Sequence, residues 1–252
     1  MIPPGSISTV IENTVATIIF SHPARNSFPS ALLQQLTNEL NTVDKNPEVT
    51  IIVIKSEGNT TFCAGASFDE LLSLTTLDEG TKFFSGFANV INAMRNCSKL
   101  IIGRIQGKAV GGGVGLAAAC DYTFATQNSM IKLSEIAVGI GPFVIEPAVS
   151  RKMGKMAFAE MTLTPTEWKS ASWAKENHLF SEVFESLDEL DIRLNNFTSE
   201  LVSYNKTALI EMKKVLWEGT ENWNQLLYER AAISGKLALS EETKQALKKF
   251  KK

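Results

Sequence analysis

Apolar positions along the chain change their period repeatedly, and those changes mark out its elements. Residues 7–20 (ISTVIENTVATIIF) hold runs in which apolar and polar side chains alternate, the two-residue period of strands. Over 30–43, Leu32, Leu33, Leu36 and Leu40 return to one face at helical spacing and predict an amphipathic helix. The run 51–55 (IIVIK) lacks that period and reads as a buried strand. A longer helix is predicted over 77–98, with Phe83, Phe84, Phe87, Val90, Ile91 and Met94 on its apolar side. Strands at 100–105 and 122–125 bracket a helix at 113–119, and from Glu146 onward the pattern is mainly helical. This order, β-rich, then alternating, then helical, predicts an α/β chain with no low-complexity linker and no convincing internal repeat.

At 252 residues and 44% hydrophobic content, the chain can bury one sizeable core without a second domain. Its net charge of −2 gives no general attraction for nucleic acid or an anionic membrane. The final KQALKKFKK is locally basic, either a solvated tail or lysines that help hold an anionic ligand. The chain opens with a proline turn at residues 3–4 and passes straight into strand-like alternation, so neither a signal peptide nor a membrane span is expected. Cys63, Cys97 and Cys120 make an odd number without close-pair spacing, which fits structural thiols in a reducing, cytoplasmic compartment. His22 and His178 alone leave almost no material for a Ser–His–Asp triad or a histidine-rich metal site. No phosphate-binding loop or dinucleotide fingerprint stands out, and no metal or prosthetic group is implied.

The candidate chemistry sits in three stretches. Residues 107–121, GKAVGGGVGLAAACD, bring Gly111, Gly112 and Gly113 to the point where a strand gives way to a small-residue helix. Backbone without Cβ atoms can approach a ligand there and aim free amides at developing negative charge, as in an oxyanion hole. Tight packing of a helix start on a strand explains the same glycines. Upstream, residues 61–70 (TFCAGASFDE) place Gly65 and Ala66 at a second strand end. Residues 131–141 (IKLSEIAVGIG) then set one carboxylate, Glu135, among Leu133, Ile136, Ala137 and Val138, the kind of neighbourhood that raises a carboxyl pKa.

With these stretches in this order, the chain resembles the crotonase superfamily, the enoyl-CoA hydratase/isomerase family, over essentially its whole length. The motif F-C-A-G-A-D-[LI]-x-E is matched over 62–70 with Ser67 in place of Asp, and G-x-A-x-G-G-G-x-x-L-A-x-x-C-D over 107–121. The resemblance implies the crotonase (ClpP-like) spiral of repeated ββα units with a C-terminal helical region. It places a core carrying an acyl-CoA site over 1–195, and helices that cover coenzyme A and build a homotrimer or homohexamer over 196–252. The apolar C-terminal residues Met212, Val215, Leu216, Trp217, Trp223, Leu226, Leu227 and Tyr228 fit such an interface, and equally fit packing within one subunit.

The same resemblance makes Ala66 and Gly112 the oxyanion donors and Glu135 the proton-transfer carboxylate. Coenzyme A, part of the substrate rather than a cofactor, would meet Ala64 and the segment 22–28 (HPARNSF): Arg25 at its phosphates, Ala24 and the Asn26 backbone at its adenine. Asn26 or Ser27 could instead cap the following helix.

One departure is informative. Hydratases of this family usually read G-G-G-x-E, with a first glutamate that helps hold the attacking water, whereas this chain reads G-G-G-V-G and has Gly115 there. Enoyl-CoA isomerases of the Δ3,Δ2 type, which keep only the later glutamate, resemble it better. Phe143 stands where dienoyl-CoA isomerases carry an additional aspartate, against that subclass. Hydration remains an alternative if Glu146, Asp69 or Glu70 supplies a carboxylate, and Gly115→Glu would favour it given room beside Val114 and Leu116. A non-catalytic acyl-CoA-binding scaffold is the alternative of another class, distinguished by binding without exchange of the Cα protons into heavy water.

Overall fold

The computed structural model describes residues 5–250; the proline turn expected at residues 3–4 and the last two lysines of the basic tail lie outside them. The alternating N-terminal run is a hairpin. Strands β1 (Ser6–Glu12) and β2 (Val15–Ser21) pair antiparallel with Glu12 opposite Val15. Their turn, Asn13-Thr14, has positive φ at both residues (48° and 65°), the handedness that matches the twist of the flanking strands. Helix α1 (Ser30–Lys45) buries Leu32, Leu33, Leu36 and Leu40 as one stripe, each worth about 1.5–3 kcal/mol. Its start corrects the expected cap: Pro29, not Asn26 or Ser27, is the N-cap, and the Ser30 amide donates to Glu70 Oε2 at 2.7 Å.

From here the chain winds between two sheets. Strand β3 (Ile51–Ser56) pairs parallel with β2, and β4 (Thr61–Cys63) leaves for a second sheet. Helices α2 (Phe68–Ser73) and α3 (Leu77–Asn96) follow. Ser67 caps α2 by accepting from the Glu70 amide, so it still supplies a capping oxygen in place of Asp. A capping box of Thr76 and Glu79 starts α3. The chain returns with β5 (Leu100–Ile105), leaves with β6 (Lys108–Val110) and runs into α4 (Gly112–Ala118). It returns again with β7 (Tyr122–Thr126), leaves with β8 (Met130–Lys132) and passes a 3-10 turn at Ile136–Val138 before α5 (Glu146–Leu163).

Strand β9 (Lys169–Ser170), helix α6 (Ala171–Glu176) and strand β10 (Glu182–Phe184) close the two sheets. The sheet orders are β1-β2-β3-β5-β7-β10 and β4-β6-β8-β9. Each turn of the chain thus lays one strand in the large sheet, one in the small sheet and a helix outside, which is the expected spiral. Mutually parallel strands require such crossovers. Strands β9 and β10 interrupt the stretch expected to be mainly helical; at two and three residues they are too short to show a period.

Helices α7 (Leu187–Ser203), α8 (Lys206–Leu216), α9 (Trp223–Ala238) and α10 (Glu241–Phe250) complete the chain, and position 195/196 falls inside α7. Helix α9 lies against α3 so closely that a Cβ on Gly80 would stand 2.9 Å from Gly235 Cα. Behind α4, buried Asp121 joins α8 to the core: it pairs with Lys213 at 2.6 Å and accepts from Trp217 Nε1 at 2.6 Å and the Ile101 amide at 2.7 Å. Trp217, Trp223 and Leu227 are buried, whereas Met212, Val215, Leu216 and Tyr228 are exposed. All three cysteines are free and buried, and burial pushes their thiols up to about 12, far from reactive. Among the described residues no helix is long and apolar enough to cross a membrane.

Candidate active site

The small sheet explains why three distant stretches meet. Strands β4, β6 and β8 are adjacent and parallel, with Cys63 opposite Ala109 and Ala109 opposite Ile131. Their carboxyl ends therefore open on one side, and the residues that follow them, Ala66, Gly112 and Glu135, line one cavity together with Ala64. Clefts at the carboxyl ends of parallel strands are common ligand sites because the crossovers leave room there.

Local hydrogen bonds set the amides. Phe28 continues the sheet past β4: its N–H donates to Gly65 O at 2.8 Å, and its carbonyl accepts from the Ser67 amide at 2.9 Å. In that parallel bridge the intervening Ala66 amide faces away from Phe28, and it finds no acceptor among the described residues. Gly112 opens α4, where the first amides of a helix lack an internal partner, and it too has no acceptor among the described residues. Gly111 adopts φ 52°, ψ −117°, a conformation suited to glycine, and its amide donates to Lys132 O at 2.9 Å. Size is restricted at 112, where a Cβ would come within 2.2 Å of the Phe87 ring.

Glu135 is the single ionisable side chain lining this cavity among the described residues. Its residue is half-buried, but Oε2 is enclosed and has no hydrogen-bond partner. Oε1 lies against the Gly111 backbone, 2.6 Å from where a Cβ would be, so glycine there also makes room for the carboxylate. Desolvation pushes the carboxyl pKa up to about 7. Aromatic Phe84 and Phe87 from α3 and Ile145 form apolar wall. Sequence reasoning missed Ser234 of α9, which lines the cavity with a fully buried, unpartnered hydroxyl; a Ser-Gly pair on the buried stripe of that helix was the only trace of it.

The remaining carboxylates are engaged elsewhere. Glu146 faces away from this cavity and accepts from Ser150 Oγ at 2.7 Å and from Lys155, while Glu70 holds the start of α1. Asp69 is exposed and does not line the cavity. Nor is there room at 115: a Cβ on Gly115 would stand 2.4 Å from Ile145 Cγ2, so the space expected beside Val114 and Leu116 is filled.

The 22–28 segment adjoins the cavity without lining it, joined by the Ala64 amide donating to Arg25 O at 3.1 Å. Asn26 secures the turn by accepting from the His22 amide at 3.0 Å and donating to Glu57 O and Thr61 O at 2.8 and 2.9 Å. Ala24 and Arg25 are exposed, and Arg25 forms no ion pair among the described residues. His22 Nδ1 accepts from the Ala24 amide at 3.2 Å, a structural use of that ring. No cluster of three or more metal-ligating side chains occurs among the described residues.

An α/β spiral with a carboxylate and open backbone amides at parallel strand ends defines the class of protein, and comparison places it further. The family model for enoyl-CoA hydratase/isomerase matches residues 10–252, and the chain belongs to that family. It is 26% identical to the peroxisomal Delta(3,5)-Delta(2,4)-dienoyl-CoA isomerase of Arabidopsis thaliana, covering 83% of this chain and 80% of that one. It is also 26% identical to the short-chain-enoyl-CoA hydratase of Clostridium acetobutylicum, over 95% and 92% of the two chains. The crystal structure of enoyl-CoA hydratase from Bacillus halodurans has the same fold, with a TM-score of 0.90 at 20% identity over 96% and 99% of the chains.

Proposed function

We propose that this enzyme shifts the double bond of a 3-enoyl-CoA to give a 2-enoyl-CoA. The observation that carries this reading is Glu135, the cavity's single ionisable side chain among the described residues, whose Oε2 is enclosed and unpartnered and whose pKa is raised to about 7. As a carboxylate, Glu135 takes a proton from C2 of the thioester, and the electron pair passes to the thioester oxygen. The Ala66 and Gly112 amides donate to that oxygen, each worth about 3–4 kcal/mol in a water-poor site. Glu135, now protonated, returns its proton at C4 as the oxygen's electrons re-form the carbonyl and the double bond settles between C2 and C3. One group near neutral pKa serves both halves of the shuttle.

Coenzyme A would lie along the 22–28 turn, with Arg25 at its phosphates and Ala24, the Asn26 backbone and Ala64 against the rest. No further cofactor enters the proposal. A trimer or hexamer belongs to the same reading, supported by exposed Met212, Val215 and Leu216, as does a cytoplasmic setting. Hydration, the second reading, needs a further carboxylate near the reacting carbons. Ile145 over Gly115, the pairing of Glu146 and the capping use of Glu70 weigh against it.

Purified protein incubated with 3-enoyl-CoA and 2-enoyl-CoA panels tests this directly. Isomerisation should far outrun hydration, and hydration at an equal or greater rate refutes the proposal. A bound acyl-CoA should also exchange its Cα protons with heavy water; binding without exchange would leave the scaffold reading.

A further inference from the structure

Behind the acyl cavity lies a second one, and Phe143 lines both. The shared wall is the stretch Ile140, Gly141, Pro142 and Phe143, with the Phe143 ring lying where a Cβ on Gly141 would meet it at 2.4 Å. The second cavity is largely apolar, from residues such as Phe158 and Leu237, yet it contains polar groups in unusual states. Thr162 lines it with a buried hydroxyl that has no hydrogen-bond partner, although a helical threonine can usually bond back to its own helix. Leaving a buried hydroxyl unsatisfied is costly, so a group that meets it gains by doing so.

Arg230 lines the same space. Its guanidinium carries a fork of N–H donors, and the near acceptor is Glu146 Oε2 at 3.8 Å, beyond hydrogen-bonding distance. Glu146 is already answered by Lys155 and the Ser150 hydroxyl. Glu146 lines the same cavity, but the local charge of Arg230 and Lys155 against this one carboxylate leaves a positive excess, and Arg230 donates no hydrogen bond among the described residues.

We propose that this second cavity receives the far end of the acyl group, and that this end is a carboxylate bound by the Arg230 guanidinium and the Thr162 hydroxyl. The substrate class is then an ω-carboxyacyl-CoA rather than a simple fatty acyl-CoA. A carboxylate matches an arginine fork as an uncharged chain end does not, and it restores the local charge balance. This inference rests on the acyl-CoA reading above and gives that site its specificity.

The test is calorimetric binding of two saturated acyl-CoAs of equal chain length, one ending in a carboxylate and one in a methyl group, neither of which can be isomerised. Wild-type protein should bind the carboxylate-ended ligand about 10–100-fold more tightly, the value of charge-assisted hydrogen bonds. Arg230→Met should abolish the preference by weakening the carboxylate-ended ligand, and Thr162→Val should reduce it. Equal affinity of wild type for the two ligands overturns the inference and leaves the acyl-CoA reading standing. Failure of both to bind overturns both together. Arg230→Met weakening both ligands equally also refutes it, and the wild-type comparison decides the matter if that variant fails to fold.

Discussion

Replacing Glu135 with glutamine should make the protein more stable above neutral pH while removing its activity. The carboxyl pKa is raised from 4.5 to about 7 because burial penalises the charged form, so the folded state holds its proton more tightly than the unfolded chain does. That proton contributes nothing differential below about pH 4.5, where both states are protonated. As pH rises through 7 the folded protein must bear a desolvated charge, and stability falls by about 3 kcal/mol, from a difference of roughly two and a half pH units at 1.36 kcal/mol each. Glu135→Gln has no charge to bury. Its advantage should be near zero at pH 4.5, grow with pH and level off above 7. Denaturant melts of both proteins across that range read it directly. Turnover should fall at least about 10²-fold, the contribution of a positioned acid–base group. In the natural enzyme, kcat/KM should rise with pH through about 7 as the carboxylate forms. A variant of unchanged stability at pH 8, or one that keeps near-normal turnover, refutes the reasoning and removes Glu135 from the working position.

Gly112→Ala drives a methyl group into the Phe87 ring, and isomerisation should drop by about 10²–10³ if its amide is displaced from the oxyanion; steady-state rates with 3-enoyl-CoA check this. Gly115→Glu should not create a hydratase: its side chain meets Ile145, so melting should show a loss of about 1–3 kcal/mol with no gain in hydration of 2-enoyl-CoA. Asp121→Ala leaves buried Lys213 unpaired and should cost about 3–5 kcal/mol in chemical denaturation; an unchanged midpoint would show that α8 is held by other contacts.

Elements whose pattern is long enough to have a period are legible in the amino-acid order alone. Leu32, Leu33, Leu36 and Leu40 mark α1, and the Phe83 to Met94 series marks α3, since three helical turns repeat the same face. That order also marked the backbone positions at 66 and 112 and the isolated carboxylate at 135, because glycine-rich strand ends and a charge in an apolar run stand out locally. Local pattern did not carry the meeting of those positions, which the family resemblance alone implied. Strands β4, β6 and β8 are three residues each, too short for alternation to show, yet their parallel pairing brings the three stretches to one cavity.

Occupancy was decided by tertiary packing as well. Gly115 reads in sequence as a missing carboxylate with possible room around it, but Ile145 from the start of α5 takes that volume. Glu146 and Glu70 read as spare carboxylates, and only the fold shows one held by Lys155 and Ser150 and the other spent on the start of α1. A side chain's type is written locally, whereas its freedom to act depends on neighbours brought from far along the chain, and those are set by how the strands pair.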